Sequence, residues 1–306
     1  MAYPSDFFAT IIDSMNRVAD QWQGQIGLID TVWTDFSPEP GVRGGTTQIT
    51  FPGLMTAADR ANASLSFTTP TSSTKTVTLT VQPHVAWRVH DLNAMKANPT
   101  QLENVYIKPG MVSLANALDI AIAALFVSGT MSSYTPIASA ATKVVVPAQI
   151  RDARIAMRAN KVPVDDYGDV FLSTPTVAYD RMLTEDNYAK YDITAEEATV
   201  AAKRRSIIMP QMNAIVRADD NLNVATQYNS ALYHRSAIGM AIRPLEIPTG
   251  PAAPVEASYV NYRGIIIRVM HGYSMEYGAW MVSMDFVYGL TVLRPEACCL
   301  IYSALS

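Results

Sequence analysis

The stretch Thr76-Val77-Thr78-Leu79-Thr80-Val81-Gln82-Pro83-His84-Val85-Ala86-Trp87-Arg88-Val89-His90 decides the fold class. Val77, Leu79, Val81, Pro83, Val85, Trp87 and Val89 take every odd position, with Thr78, Thr80, Gln82, His84, Arg88 and His90 among the even ones. A period of two sustained over this length predicts one long strand with a single buried face. Pro83 has no N–H to give to a ladder, so an edge or a bulge is expected there.

Upstream, residues 46–80 form a segment of unusual composition. Eleven of its 35 residues are Thr, and only Asp59, Arg60 and Lys75 are charged. Short alternations at its ends (Ile49, Phe51; Val77, Leu79, Val81) flank a Pro/Ser/Thr-rich middle. The pattern predicts a long β-hairpin with β-branched Thr on its open face. A two-stranded hairpin is marginal alone, so it should lean on something else. Before it, Ser5 to Gln21 predicts an amphipathic helix capped by Ser5, with Phe8, Ile11, Ile12, Met15, Val18 and Trp22 on one face. Two readings stand side by side: a helix packed on its own domain, or an arm docked on a neighbouring subunit. Pro38, Pro40, Gly41, Gly44 and Gly45 separate it from the hairpin.

Downstream, Lys108-Pro109-Gly110 opens a helix expected to run to about Ser128, with Gly129 as its stop. Ser113, Asn116 and Asp119 make a narrow polar stripe on an otherwise apolar helix, which predicts deep burial. Residues 143–205 hold 20 charged positions in 63, whereas residues 221–300 hold 10 in 80. Within the charged segment, Pro147 to Ala159 and Pro175 to Leu183 read as helices around a buried strand, Asp169 to Ser173. Asp186 to Arg205 reads as a loop or exposed helix. Pro248, Gly250, Pro251 and Pro254 mark a boundary before the β-rich runs Gly264–Met270, Trp280–Tyr288 and Leu290–Tyr302.

Composition narrows the function classes. Charged residues are 16% of the 306, against about 25% in globular chains. With a net charge of −4, neither disorder nor a generally basic nucleic-acid binder is favoured. Adjacent Cys298 and Cys299 point to opposite faces of a strand and are poorly placed to bond each other, so an intracellular chain is expected. No transmembrane segment is expected: Met111 to Val127 carries Asn116 and Asp119, and its longest uninterrupted apolar run is Ile120 to Val127. Asp6, Asp13 and Arg17 break up what would be the apolar core of a signal peptide.

No reactive constellation is local in sequence. His84 and His90 share a strand face but stand about 20 Å apart, too far to ligate one metal. His234 and His271 have no neighbouring ligand set. No nucleophile elbow, P-loop or dinucleotide-binding glycine turn occurs. Asp165-Asp166 and Asp219-Asp220 read as solvated turns. Lys203-Arg204-Arg205 reads as a solvated loop, and Arg151, Arg154 and Arg158 share one side of a helix, either ordinary surface or a subunit or nucleic-acid face.

The order of these segments, over nearly the whole chain, resembles the major capsid protein family of tailed bacteriophages, with its Hong Kong 97 fold. The arm and Thr-rich hairpin resemble that family's N-terminal arm and extended loop. The strand Thr76 to His90 and the apolar helix after it resemble the peripheral domain with its spine helix. Ala159-Asn160-Lys161-Val162-Pro163, the strand Gly168 to Ser173 and the helix from Pro175 with Tyr179 and Leu183 are similar to an axial-domain pattern. Tyr233 to Ala241 and Tyr288 to Ala297 resemble two later signatures of the family. Where many relatives carry Ser-Asn-x-Leu-Pro, this chain has Asp219-Asp220-Asn221-Leu222-Asn223.

The resemblance implies an α+β, Hong Kong 97-like fold with five segments. They are an N-terminal arm (1–45), an extended β-hairpin loop (46–80), a peripheral domain with a long spine helix (81–142), an axial α/β domain (143–255), and a return to the peripheral domain (256–306). It implies a structural coat protein with no catalytic site, cofactor or metal. That protein builds an icosahedral shell of pentamers and hexamers enclosing double-stranded DNA without sequence-specific binding. Separate scaffold and portal proteins, no membrane, and a virion location after assembly in the host bacterial cytoplasm are further expectations. Low charge then follows from surface covered by neighbours, since interface cores are depleted of charge. The expected subunit contacts are Phe8, Ile12 and Met15 in the arm, and Phe51, Leu65 and Phe67 in the hairpin. Two other readings remain: an encapsulin-like nanocompartment shell on the same fold, and a cytosolic hydrolase or transferase with a non-local site.

Overall fold

The computed structural model describes residues 12, 15, 27–36, 41–52, 72–90, 103–127, 130–131, 134, 137–139, 145–165, 168–184, 206–209, 214–222, 227–250, 254, 256–262 and 265–304. The first half of the chain contributes β1 (Trp33–Phe36), β2 (Thr46–Pro52), β3 (Ser72–Thr78), β4 (His84–His90), α1 (Lys108–Ala123) and β5 (Ile137–Ser139). The charged segment then supplies α2 (Pro147–Ala159), β6 (Val170–Thr174), α3 (Thr176–Thr184), β7 (Ser206–Met209) and β8 (Ala214–Ala218). Among the described residues, the remainder supplies strands joined by turns and short 3-10 segments: β9 (Gln227–His234), β10 (Ile238–Arg243), β11 (Glu256–Tyr262), β12 (Ile265–Ser274), β13 (Ala279–Asp285), β14 (Val287–Val292) and β15 (Cys298–Ala304).

The alternation around Pro83 does form β structure, but in two pieces. β3 pairs with β2, and β4 pairs with β13 in a different sheet, so the single long strand expected over 76–90 is broken at residues 79–83. The break follows from Pro83, which cannot donate to a ladder, and the chain changes sheets there. Val81 keeps only an isolated bridge to Tyr288 and is 43% exposed, although its parity matches the buried Val77 and Leu79.

Three sheets build the body of the molecule. Their strand orders are β5-β15-β9-β6-β8-β7, β11-β12-β13-β4 and β1-β10-β14. α1 joins two of them. Gly110 near its start is so close to the four-stranded sheet that a Cβ there would lie 2.8 Å from Met284 Cε. Beyond its end, Phe126 packs its ring 5.0 Å from that of Tyr233 in the six-stranded sheet. Met111, Leu114, Leu118 and Ile122 share one core with Leu172, Leu232, Val269 and Leu300. Val105–Ala123 has the length and hydropathy of a membrane span, but these side chains are spent on the chain's own core.

α1 ends five residues earlier than expected. The N–H groups of Leu125 and Phe126 donate to Ile122 and Ala123, which tightens the last turn and swings Phe126 inward. The helix is also buried on one side only. Val105, Ile120 and Val127 are 60%, 49% and 49% exposed, so the expected deep burial holds for one face only.

α2, β6 and α3 match the reading of the charged segment to within a residue or two. The 143–255 boundary does not contain the whole sheet. β15 lies between β5 and β9, and β5 comes from the segment expected to be peripheral. Cys298 to Ile301 are buried on both sides, and an interior place in the six-stranded sheet supplies that burial. Arg268 and Asp285, opposite each other on β12 and β13, form a buried bidentate pair at 2.8 and 2.6 Å. Gln82 donates to the same carboxylate at 3.0 Å, and Arg268 also donates to the Glu246 carbonyl. One ion pair therefore ties the sheet to the linker between β3 and β4 and to the chain after β10.

Candidate assembly surfaces

The charge-poor hairpin is built and anchored in a way its sequence explains. β2 and β3 are antiparallel, with Thr46 opposite Thr78, Gln48 opposite Thr76 and Thr50 opposite Thr74. Side chains alternate across a strand, so these six residues share one hydroxyl- and amide-bearing face. The Thr50 and Thr74 hydroxyls stand 3.5 Å apart. On the opposite face, Val77 joins Leu79, Ala241 and Val287 in a small second core, with Ile49 and Leu245 packed on it.

The base is clamped to β14. Thr80 and Val81 both donate to the Tyr288 carbonyl at 3.1 Å, and the Tyr288 N–H returns a 2.9 Å bond to Val81. Gly289 permits this approach: a Cβ there would lie 2.1 Å from the Thr78 carbonyl oxygen. Past the base the support ends. Ser72, Ser73, Thr74, Lys75 and Thr76 are exposed at consecutive positions, and so on both faces of the ribbon. A two-stranded ribbon gains little stability by itself in water, so contact from outside the chain is its natural support.

The residues singled out for contact fall in different places. Ile12 and Met15 are both helical. Met15 is fully buried in the main core and Ile12 packs against it, so these two face the chain's own body. Phe51 lies in β2 opposite Ser73. Phe8, Leu65 and Phe67, like Lys203-Arg204-Arg205, lie outside the described residues. The structure does not bring the arm pair and the hairpin together: they belong to separate clusters.

Two further uncharged surfaces expose apolar side chains that the sequence did not mark as open. On α1 and its flanks, Val105, Pro109, Ser113, Asn116, Ile120, Ala124 and Val127 are exposed at three- and four-residue spacing without one charge. At the turn between β12 and β13, Met275 is 92% exposed, with Tyr273, Tyr277 and Met281 also open to solvent. The Arg88 guanidinium lies 5.4 Å from the centre of the Tyr277 ring. Apolar residues read as core in a pattern search, and solvent-facing ones carry no separate signal.

Several of the described basic and acidic groups are occupied structurally. On α2, Arg154 reaches Asp165 Oδ1 at 3.0 Å and Arg158 reaches the same oxygen, which holds that carboxyl below the usual range. Asp219, expected in a solvated turn, is buried, and it accepts the Asn221 N–H at 2.7 Å. Both cysteines are free and buried; burial pushes Cys299 up to about 11 and Cys298 well above its ordinary value, so neither is a thiolate at neutral pH. Among the described residues, no group of three or more His, Cys, Asp and Glu side chains could hold a metal. A cleft of about 230 Å³ beside β1, lined by Ile29, Asp30, Val32, Trp33, Thr34 and Arg235, is smaller than cavities that enclose drug-sized ligands.

No protein-family model matches the sequence, and no curated protein does. Solved structures do. The chain in the capsid of the cyanophage P-SCSP1u is 12% identical with a TM-score of 0.58, the match covering 90% of this chain and 88% of that one. The chain in the mature capsid of bacteriophage PhiM1 is 8% identical, also with a TM-score of 0.58, over 91% and 87%. The chain of a virus-like particle from Pyrococcus furiosus is 7% identical with a TM-score of 0.53, over 96% and 99%. The fold is therefore the mixed α+β, Hong Kong 97-like architecture of these shell proteins, across almost the whole chain.

Proposed function

We propose that this chain is a major capsid protein, a non-enzymatic coat subunit that self-assembles into a closed icosahedral shell around double-stranded DNA. The observation that carries the reading is the hairpin: clamped at Gly289, poor in charge, and exposed on both faces beyond its base. In a shell, a neighbouring subunit supplies the surface that the ribbon lacks. The low charge fits a chain whose surface is largely covered by copies of itself.

The hairpin, with Phe51, Leu65 and Phe67, lies over an adjacent subunit. The arm, with Phe8, Ile12 and Met15, docks near its own subunit's core and continues toward a neighbour. The six-stranded sheet and its helices close pentameric and hexameric rings. Separate scaffold and portal proteins direct assembly in the bacterial cytoplasm, and the mature shell is the virion capsid. DNA is held by enclosure, which needs no basic groove and tolerates a net charge of −4.

A nanocompartment shell enclosing protein cargo is the second reading; the chain of a virus-like particle from Pyrococcus furiosus shares the fold, and the fold alone does not fix what a shell encloses. Nuclease treatment of purified particles separates the two. DNA that survives inside intact particles supports the capsid reading; particles holding protein cargo and no DNA overturn it.

A further inference from the structure

Three consecutive carbonyls just past β10 are each taken by a different part of the molecule. The Pro244 carbonyl accepts the Gly41 N–H at 2.7 Å, on the leg of chain that leads into β2. The Leu245 carbonyl accepts from the Tyr259 hydroxyl of β11 at 2.9 Å, and the Glu246 carbonyl accepts from the Arg268 guanidinium of β12. Residues 244–246 thus leave the three-stranded sheet, bond the root of the hairpin, and are then held by the four-stranded sheet. The side chain of the middle residue, Leu245, packs on the hairpin's own core of Val77, Leu79, Ala241 and Val287.

The two legs of the hairpin are bonded to each other at the same place. The Gly44 N–H donates to the Leu79 carbonyl at 2.7 Å, and the Leu79 N–H donates to the Gly45 carbonyl at 2.8 Å. Arg43 Nε reaches the Thr80 carbonyl at 3.1 Å. Gly41 lies so close to its surroundings that a Cβ on it would stand 2.5 Å from Arg243 Cβ and 3.0 Å from Leu79 Cδ1. The root is therefore one hydrogen-bonded unit, and a change at residues 244–246 reaches both legs. Two side chains hold those residues from the four-stranded sheet, and they differ in access. Arg268 is 8% exposed and locked to Asp285, whereas Tyr259 is 40% exposed.

We infer that residues 244–246 are a strap by which the four-stranded sheet holds the root of the hairpin, with the exposed Tyr259 hydroxyl as its release point. A bond donated by a solvent-open hydroxyl is the link given up at least cost, because water or another acceptor replaces the lost partner. Once it opens, the Leu245 side chain is free to leave the hairpin core and the Pro244 carbonyl to leave Gly41. The coupling is reciprocal, so whatever steadies the ribbon also steadies the strap against β11. This concerns the subunit itself and stands whether or not the shell reading holds.

Hydrogen exchange in the full-length chain, compared between the native protein and Tyr259→Phe, reads the strap directly. The substitution keeps the ring and removes only the donor. Losing one hydrogen bond of ordinary net strength should speed exchange at Gly41, Gly44 and Leu79 by about two- to tenfold, with the amides of β12 and β13 unchanged. Unchanged exchange at those three root amides overturns the strap. So does an equal rise across β12 and β13, which marks a loss of stability throughout the four-stranded sheet instead of a release at the root. A rise confined to β11 overturns it as well, because the effect then stops at the strand that carries Tyr259.

Discussion

Lys161 ends α2 in the left-handed region, at φ 58°. Its N–H bonds the Arg158 carbonyl at 2.9 Å and the Val162 N–H bonds that of Met157 at 3.2 Å, the paired bonds of a Schellman cap, with Val162 and Met157 both buried. A lysine there carries a Cβ penalty that glycine lacks. Lys161→Gly should raise stability by about 1 kcal/mol in denaturant unfolding of the subunit. The Arg268–Asp285 pair makes the opposite case. Asp285→Ala leaves a buried guanidinium unpaired and should cost about 3–5 kcal/mol, while Arg268→Met with Asp285→Leu should recover most of that loss. A loss under 1 kcal/mol for the single variant would show that the pair is not the tie described. This pair was not legible in the chain: its partners are 17 residues apart, and no periodicity links a charge to its distant partner.

At the scale of elements, Gly289 decides how the hairpin leaves the body. Gly289→Ala should force Thr78 away from β14, with a cost of about 1–3 kcal/mol and faster proteolysis between β2 and β3. Cleavage at the native rate would contradict the clamp. The local elements were legible because their signals are local: the period of two around Val77 and Val85, the prolines opening α1 and α2, and the apolar run Val170–Leu172 that opens β6. Three features were not. The break near Pro83 hid because Val81 and Pro83 keep the parity of the flanking strands while the chain changes sheets. The early end of α1 depends on Phe126 reaching Tyr233, a contact across the core. The place of β15 beside β5 and β9 is a long-range pairing, and sequence order carries no signal of which strands it joins.

For the whole molecule, the fold was legible from the order of its parts, whereas most of the candidate contact surface was not. The hairpin stood out by its missing charges. The uncharged side of α1 and the Met275 turn did not, because exposure is a property of the folded body. Removing residues 53–72 should leave the three sheets and their core intact, with native-like circular dichroism, yet abolish closed particles. Normal shells from that deletion would remove the hairpin from the assembly account. The central claim is tested most directly by negative-stain electron microscopy of the purified full-length protein. Closed, uniform shells tens of nanometres across are the predicted result. A field of monodisperse monomers or dimers, confirmed by sedimentation, would contradict it.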